Sequence, residues 1–98
     1  MATTVREMRR TMRIAVIIRR SRTGYSADAP DVPGCVAAAK TVPGTRRLMA
    51  KALELHLELM AESGEQLPNP RQRFSFVADP NAGEEFCTWV EVKEPALV

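Results

Sequence analysis

The sequence is poor in the side chains that metal and nucleophilic chemistry require. Histidine occurs once, at His56, and cysteine twice, at Cys35 and Cys87, far apart along the chain. Zinc finds too few ligands at any usual spacing in such a set. The two cysteines read as buried free thiols rather than as a disulfide or a metal pair. No glycine-rich loop leads into a helix, so a phosphate cradle is excluded. Gly24, Gly34, Gly44, Gly64 and Gly83 are instead dispersed at turns. No apolar run approaches the roughly 18 residues of a membrane span. The start also lacks the apolar core of a secretory signal, so a soluble protein is expected.

What is present fits one small domain. The 98 residues leave room for one sheet and one or two helices. A formal charge of +2 conceals an asymmetry. Residues 1–23 hold seven arginines (Arg6, Arg9, Arg10, Arg13, Arg19, Arg20 and Arg22) against one acid, Glu7, a net of +6. The remainder holds seven basic residues and eleven acids, a net of −4. A basic end on an acidic body suggests an electrostatic partner, or else a solvated, frayed terminus.

Residues 1–10 read as a short helix, since Val5, Met8 and Met12 have helical spacing, or equally as a flexible arm. From Thr11 to Arg20 a strand is clear. Met12, Ile14, Val16 and Ile18 point one way, and Arg13, Ala15, Ile17 and Arg19 the other. The half-apolar second side places this strand inside a sheet. A second strand spans about 24–29, where Tyr25, Ala27 and Ala29 alternate with Ser26 and Asp28. Pro30 ends it, having no amide hydrogen for a ladder. Pro33-Gly34 predicts a type II turn, and a third strand follows over 35–40. Short links make these three a meander.

A helix comes next, capped by Thr41 or by Thr45. Pro43-Gly44 makes the earlier start awkward, so the helix is expected from 46 to about 63. Leu48, Ala52, Leu55 and Leu59 form its expected apolar stripe, flanked by Met49, Leu53 and Met60. Gly64 suits the left-handed residue after the helix, and Pro68 and Pro70 prevent its resumption. Residues 71–78 fit a strand or a helical turn. Asp79 to Gly83 is a turn signal. Phe86, Thr88, Val90 and Val92 then alternate with Cys87, Trp89 and Glu91 as a fourth strand. A strand reached through a helical crossover is expected to run parallel to an earlier one. Beside the first strand, it gives an α+β sheet of order 3-2-1-4 with the helix on one face.

That topology looks like a truncated ribonuclease H fold, whose cleavage chemistry needs several carboxylates around two divalent ions. Residues 8–23 contain no acid, and the fourth strand offers only Glu91. Asp28 and Asp31 flank a rigid turn and read as turn-forming or solvated acids. His56 has no evident nucleophile or orienting acid, and Ser26 has no base nearby in sequence. Nothing supports an enzyme, a metal or a cofactor.

The segment from Tyr25 to Cys35, above all Pro30-Asp31-Val32-Pro33-Gly34-Cys35, closely resembles the motif of HicB-like antitoxins. The resemblance continues through Ala52-Leu53-Glu54-Leu55-His56-Leu57-Glu58 and Gly64-Glu65-Gln66-Leu67-Pro68-Asn69-Pro70. It extends to Ala78-Asp79-Pro80 and Trp89-Val90-Glu91-Val92, covering about residues 12–93. It implies a partial ribonuclease H-like fold in a self-associating bacterial or archaeal cytoplasmic protein. It also implies a protein that binds and neutralises HicA, a small RNA-cleaving toxin with a double-stranded-RNA-binding-like fold. Relatives suggest a helical turn over 71–78.

On this reading Tyr25, Pro30, Asp31, Pro33, Gly34, Cys35, Gly64 and Pro68 form a structural motif. Residues 11–93 are the domain, 1–10 a basic arm and 94–98 a tail, with no DNA-binding domain of the kind many relatives add. Pro43 and Gly44 stand where the family commonly has two acids, and Arg46 where an apolar residue is usual. The alternative is a solitary oligomeric member binding nucleic acid through Arg6, Arg9, Arg10 and Arg13.

Overall fold

A computed structural model describes residues 11–68 and 85–95. Strand β1 is Thr11–Ser21. Its centre is rich in β-branched residues, which fit a pleated, buried surface. Met12, Ile14, Val16 and Ile18 enter the main core, while Ala15 and Ile17 are buried on the opposite face. β2, Gly24–Asp28, pairs antiparallel with β1 from Ser21↔Gly24 to Ile17↔Asp28. β3, Val36–Ala39, pairs antiparallel with β2 from Asp28↔Val36 to Tyr25↔Ala39. β4, Glu85–Lys93, lies on the other side of β1. The sheet order is β3-β2-β1-β4, with helix α1, Val42–Glu62, between β3 and β4 in sequence. The α+β class and the strand order are those expected.

The direction of β4 is not. The sequence predicts a strand parallel to β1, whereas β4 runs antiparallel, from Arg19↔Glu85 to Thr11↔Lys93. The endpoints explain why. β3 ends at Ala39 beside Tyr25, hence at the Ser21 end of β1, and α1 starts there. The other end of α1 reaches the β2–β3 loop, where Leu59 and Met60 line a cleft with Val32 and Pro33. β4 then begins back beside Arg19. α1 and β4 thus start at the same end of the sheet. The parallel-crossover rule assumes that the helix ends at the sheet end where the next strand begins, and here it ends at the opposite one.

The start of α1 also differs from expectation. Thr41, in extended conformation, is the N-cap, and Pro43 sits in the first turn. Proline is at home there, because the amide it lacks has no helical partner anyway. The Thr41 hydroxyl accepts the Gly44 amide at 3.0 Å. A Cβ on Gly44 would lie 2.9 Å from that hydroxyl oxygen and 3.4 Å from the Ala39 Cβ. The glycine that looked awkward therefore gives the cap its room. Thr45 is no cap: it is fully buried, and its hydroxyl donates to the Thr41 carbonyl at 2.8 Å.

The buried stripe of α1 is Thr45, Met49, Leu53 and Leu57, spaced by four residues. Leu48, Leu55 and Leu59, expected in the core, are 47%, 60% and 54% exposed. Two apolar stripes run side by side on this helix, and the flanking row won. Met49, Leu53 and Leu57 meet Ile14, Val16, Ile18, Val32, Val90 and Val92 in one cluster. Each such side chain contributes about 1.5–3 kcal/mol relative to an exposed one. The N-terminal arm, residues 71–78 and the turn over 79–83 lie outside the described residues.

Candidate partner-binding surfaces

The motif segment folds as two consecutive turns. Val32 donates its amide to the Ala29 carbonyl at 3.1 Å, with Pro30 next after Ala29. Cys35 donates to the Val32 carbonyl at 3.2 Å, with Pro33 and Gly34 between them. Gly34 has φ 88°, the value the second central residue of a type II turn requires. Val32 and Cys35 are buried and anchor the turn in the core, leaving Pro33 and Gly34 exposed.

The end of α1 sits beside this turn. Glu65 donates to the Met60 carbonyl at 2.9 Å and Gly64 to the Ala61 carbonyl at 3.2 Å, with Gly64 at φ 74°. This is a Schellman closure, which satisfies carbonyls the helix would leave bare. Leu67 packs on the core, and Pro68 joins Asp31, Pro33, His56 and Leu59 around one open cleft. Two motif segments some thirty residues apart in sequence thus meet. Tyr25 does not join them: it is half-buried on β2, opposite Arg20. Sequence reasoning set His56 aside as structural, and the structure puts it on the cleft wall beside the Asp31 loop. No local signal marks that neighbourhood, because it arises only when the loop and the helix end converge.

The sheet face opposite α1 carries a different arrangement. The Arg13 guanidinium lies over the Trp89 ring, 5.1 Å from its centroid. Such a cation–π contact is worth roughly 0.5–1 kcal/mol at an exposed site. Trp89 is directly across from the buried Ala15, and Glu91 is across from Arg13. Asp28 pairs with Arg19, as a structural rather than metal-binding acid would. Both side chains are about 40% exposed, so the pair is worth at most about 1 kcal/mol. Of the four arginines considered for nucleic acid, only Arg13 is among the described residues; Arg6, Arg9 and Arg10 are not.

Burial pushes both thiols, Cys35 and Cys87, above their ordinary pKa, which disfavours the reactive thiolate. Among the described residues, no three His, Cys, Asp or Glu side chains gather as a metal site. No described helix is long and apolar enough to cross a membrane.

Residues 13–97 match the family described as HicB-like antitoxin of bacterial toxin–antitoxin systems. The chain belongs to the HicB-like antitoxin family. It is 30% identical over 77 residues to an uncharacterised 14.9 kDa protein from the rep–hol intergenic region of Haemophilus phage HP1. That match covers 79% of the chain but 58% of the phage protein, so the chain spans little more than half of that relative. Among solved structures, a chain of a HicA3–HicB3 toxin–antitoxin complex superposes with TM-score 0.68 at 24% identity, over 83% of this chain and 98% of that one. The antitoxin HicB3 superposes with TM-score 0.66 at 25% identity, over 83% of this chain and 62% of that one. The HicB-like fold is thus shared over 83% of this chain.

Proposed function

We propose that this HicB-like chain is a non-catalytic antitoxin that binds and neutralises a small HicA-type, RNA-cleaving toxin in the bacterial cytoplasm. The observation that carries this is the family match over residues 13–97, joined to likeness of fold with a chain from a HicA3–HicB3 complex. The chemistry on the surface agrees with a binding role. The thiols are raised in pKa, and Asp28 is committed to Arg19 rather than free for catalysis. The experiment is co-expression with any small protein encoded beside it. The expected result is that the neighbour arrests growth alone, is harmless with this chain, and co-purifies with it. A neighbour that is neither toxic nor bound overturns the reading.

A second reading, nucleic-acid binding through Arg6, Arg9, Arg10 and Arg13, draws support from the net charge of +6 in residues 1–23. Phosphate contacts would make RNA or DNA binding weaken steeply with salt. Binding unaffected by salt, or by deletion of residues 1–10, rejects it.

A further inference from the structure

The cleft between the motif turn and the end of α1 has a volume of about 570 Å³, within the size range of ligand-holding clefts. Val32, Pro33, Leu59 and Met60 give it apolar walls, and Asp31 and Glu65 bring carboxylates to its lining. That combination suits a guanidinium on an aliphatic stem. The stem packs on the apolar surface, and the charged head meets the acids.

The helix end adds to the demand for a cation. From Ala52 to Pro68 the chain carries Glu54, Glu58, Glu62 and Glu65 without a lysine or arginine. The last turn of α1 holds no base, although the negative end of the helix dipole favours one there. Lys40, Arg46, Arg47 and Lys51 all stand before or within the first half of α1.

The arginine-rich start of the chain joins the sheet at this same end. Ile17 pairs with Asp28, the last residue of β2, and Thr11 lies six residues further along β1. The motif turn follows β2 in that direction, and Val32 shares the core cluster with Met12 and Ile14. Arg6, Arg9 and Arg10 precede Thr11 by five, two and one residues, outside the described residues. Five extended residues reach up to about 17 Å. The arm therefore combines the charge, the length and the point of attachment that the cleft calls for.

We propose that the cleft is a guanidinium site, filled by an arginine of residues 1–10 of the same chain. Docking sets the basic arm against the acidic end of the domain. A polyanion that takes up the arm must first displace it from the cleft. The docking stands apart from the toxin reading, since it needs no second molecule.

Amide NMR spectra of the full chain test this. Arg6→Ser with Arg9→Ser and Arg10→Ser leaves every residue of the domain in place. Relative to wild type, this variant should show shifted amides at Asp31, Val32, Gly34 and Glu65, and unshifted ones at Gly24 and Tyr25 at the far end of the sheet. In about 1 M salt, where the screening length falls to about 3 Å, the two spectra should converge at the cleft. Methylguanidinium should move the cleft amides further in the variant than in the wild type, whose site is filled. Asp31→Asn with Glu65→Gln should abolish the difference that the arm substitutions make. Cleft amides that ignore the arm substitutions overturn the proposal. Arg71 and Arg73, shortly after Pro68 in sequence, are the other source of a guanidinium. If Arg71→Ser with Arg73→Ser shifts the cleft amides and the arm variant does not, the arm is not the occupant. A difference that grows with protein concentration would place the arm in another molecule's cleft, and overturns docking within one chain.

Discussion

Arg46 of α1 donates through Nη2 to the main-chain carbonyl of Trp89 on β4, 3.0 Å away and 43 residues on in sequence. That contact gives the arginine a structural role. β4 is an edge strand, and edge backbone left bare invites pairing with other chains. Together with Glu54, which accepts the Lys93 amide at 3.2 Å, Arg46 ties that edge to the helix. Arg46→Ala should cost about 0.5–1.5 kcal/mol, the usual range for one hydrogen bond. It should also speed hydrogen exchange in β4 more than in β2. Equal exchange in both strands would contradict the edge-tying role.

Gly34 is the residue on which the paired turns depend. Its φ is 88°, and a Cβ there would meet nothing within 4 Å. Any penalty for substitution is therefore backbone strain alone. Gly34→Val should lose about 1–3 kcal/mol, read as a fall in the chemical-denaturation midpoint. Gly34→Asn should lose less, since asparagine visits the left-handed region more readily. A valine variant of full stability would contradict the turn assignment.

The cap of α1 predicts an unusual glycine. Thr41→Ala should destabilise by about 1 kcal/mol through loss of the N-cap bond. Gly44→Ala, which would ordinarily help a helix by up to about 1 kcal/mol, should here destabilise, because the new methyl presses on the Thr41 hydroxyl. In a Thr41→Ala background the hydroxyl is gone, and Gly44→Ala should become neutral or favourable. A double-mutant cycle from thermal melts measures this coupling; strict additivity would argue against it.

The two stripes of α1 should separate sharply by alanine substitution. Leu53→Ala and Leu57→Ala, each fully buried, should cost about 2–5 kcal/mol. Leu55→Ala and Leu59→Ala should stay within about 0.5 kcal/mol when measured at concentrations where the chain is monomeric. Comparable losses in both sets would mean that the exposed stripe is covered within the monomer.

The thiols predict a pH dependence. Burial raises the pKa of Cys35 and Cys87 above that of an unfolded thiol. The unfolded chain therefore gives up thiol protons at lower pH than the folded one. Stability from these sites is complete below the unfolded value and falls as pH rises through the folded one. Unfolding free energy should decline in the alkaline range, and Cys35→Ala should flatten the decline. An unchanged slope in that variant would exclude Cys35 as a source.

Much of this was determined by the sequence itself. The period-two runs set β1, β2 and β4 within a residue or two, and Pro33-Gly34 specified its turn. Gly64 with Pro68 ended α1. All are local effects, in which a residue's own backbone preference decides the outcome. The resemblance carried by Pro30 to Cys35 likewise pointed to the family before any coordinate. Three matters were left to tertiary structure. β4 took its direction from where the chain re-enters the sheet after residues 63–84, a long-range constraint with no local mark. The buried stripe of α1 was chosen by the shape of the sheet beneath it. Leu48-Ala52-Leu55-Leu59 and Met49-Leu53-Leu57 are almost equally apolar, and only contact with Val16 and Ile18 separates them. The meeting of Asp31 and Pro33 with His56 and Pro68 followed from both: once the sheet set the path of α1, the end of the helix reached the turn that opens β3.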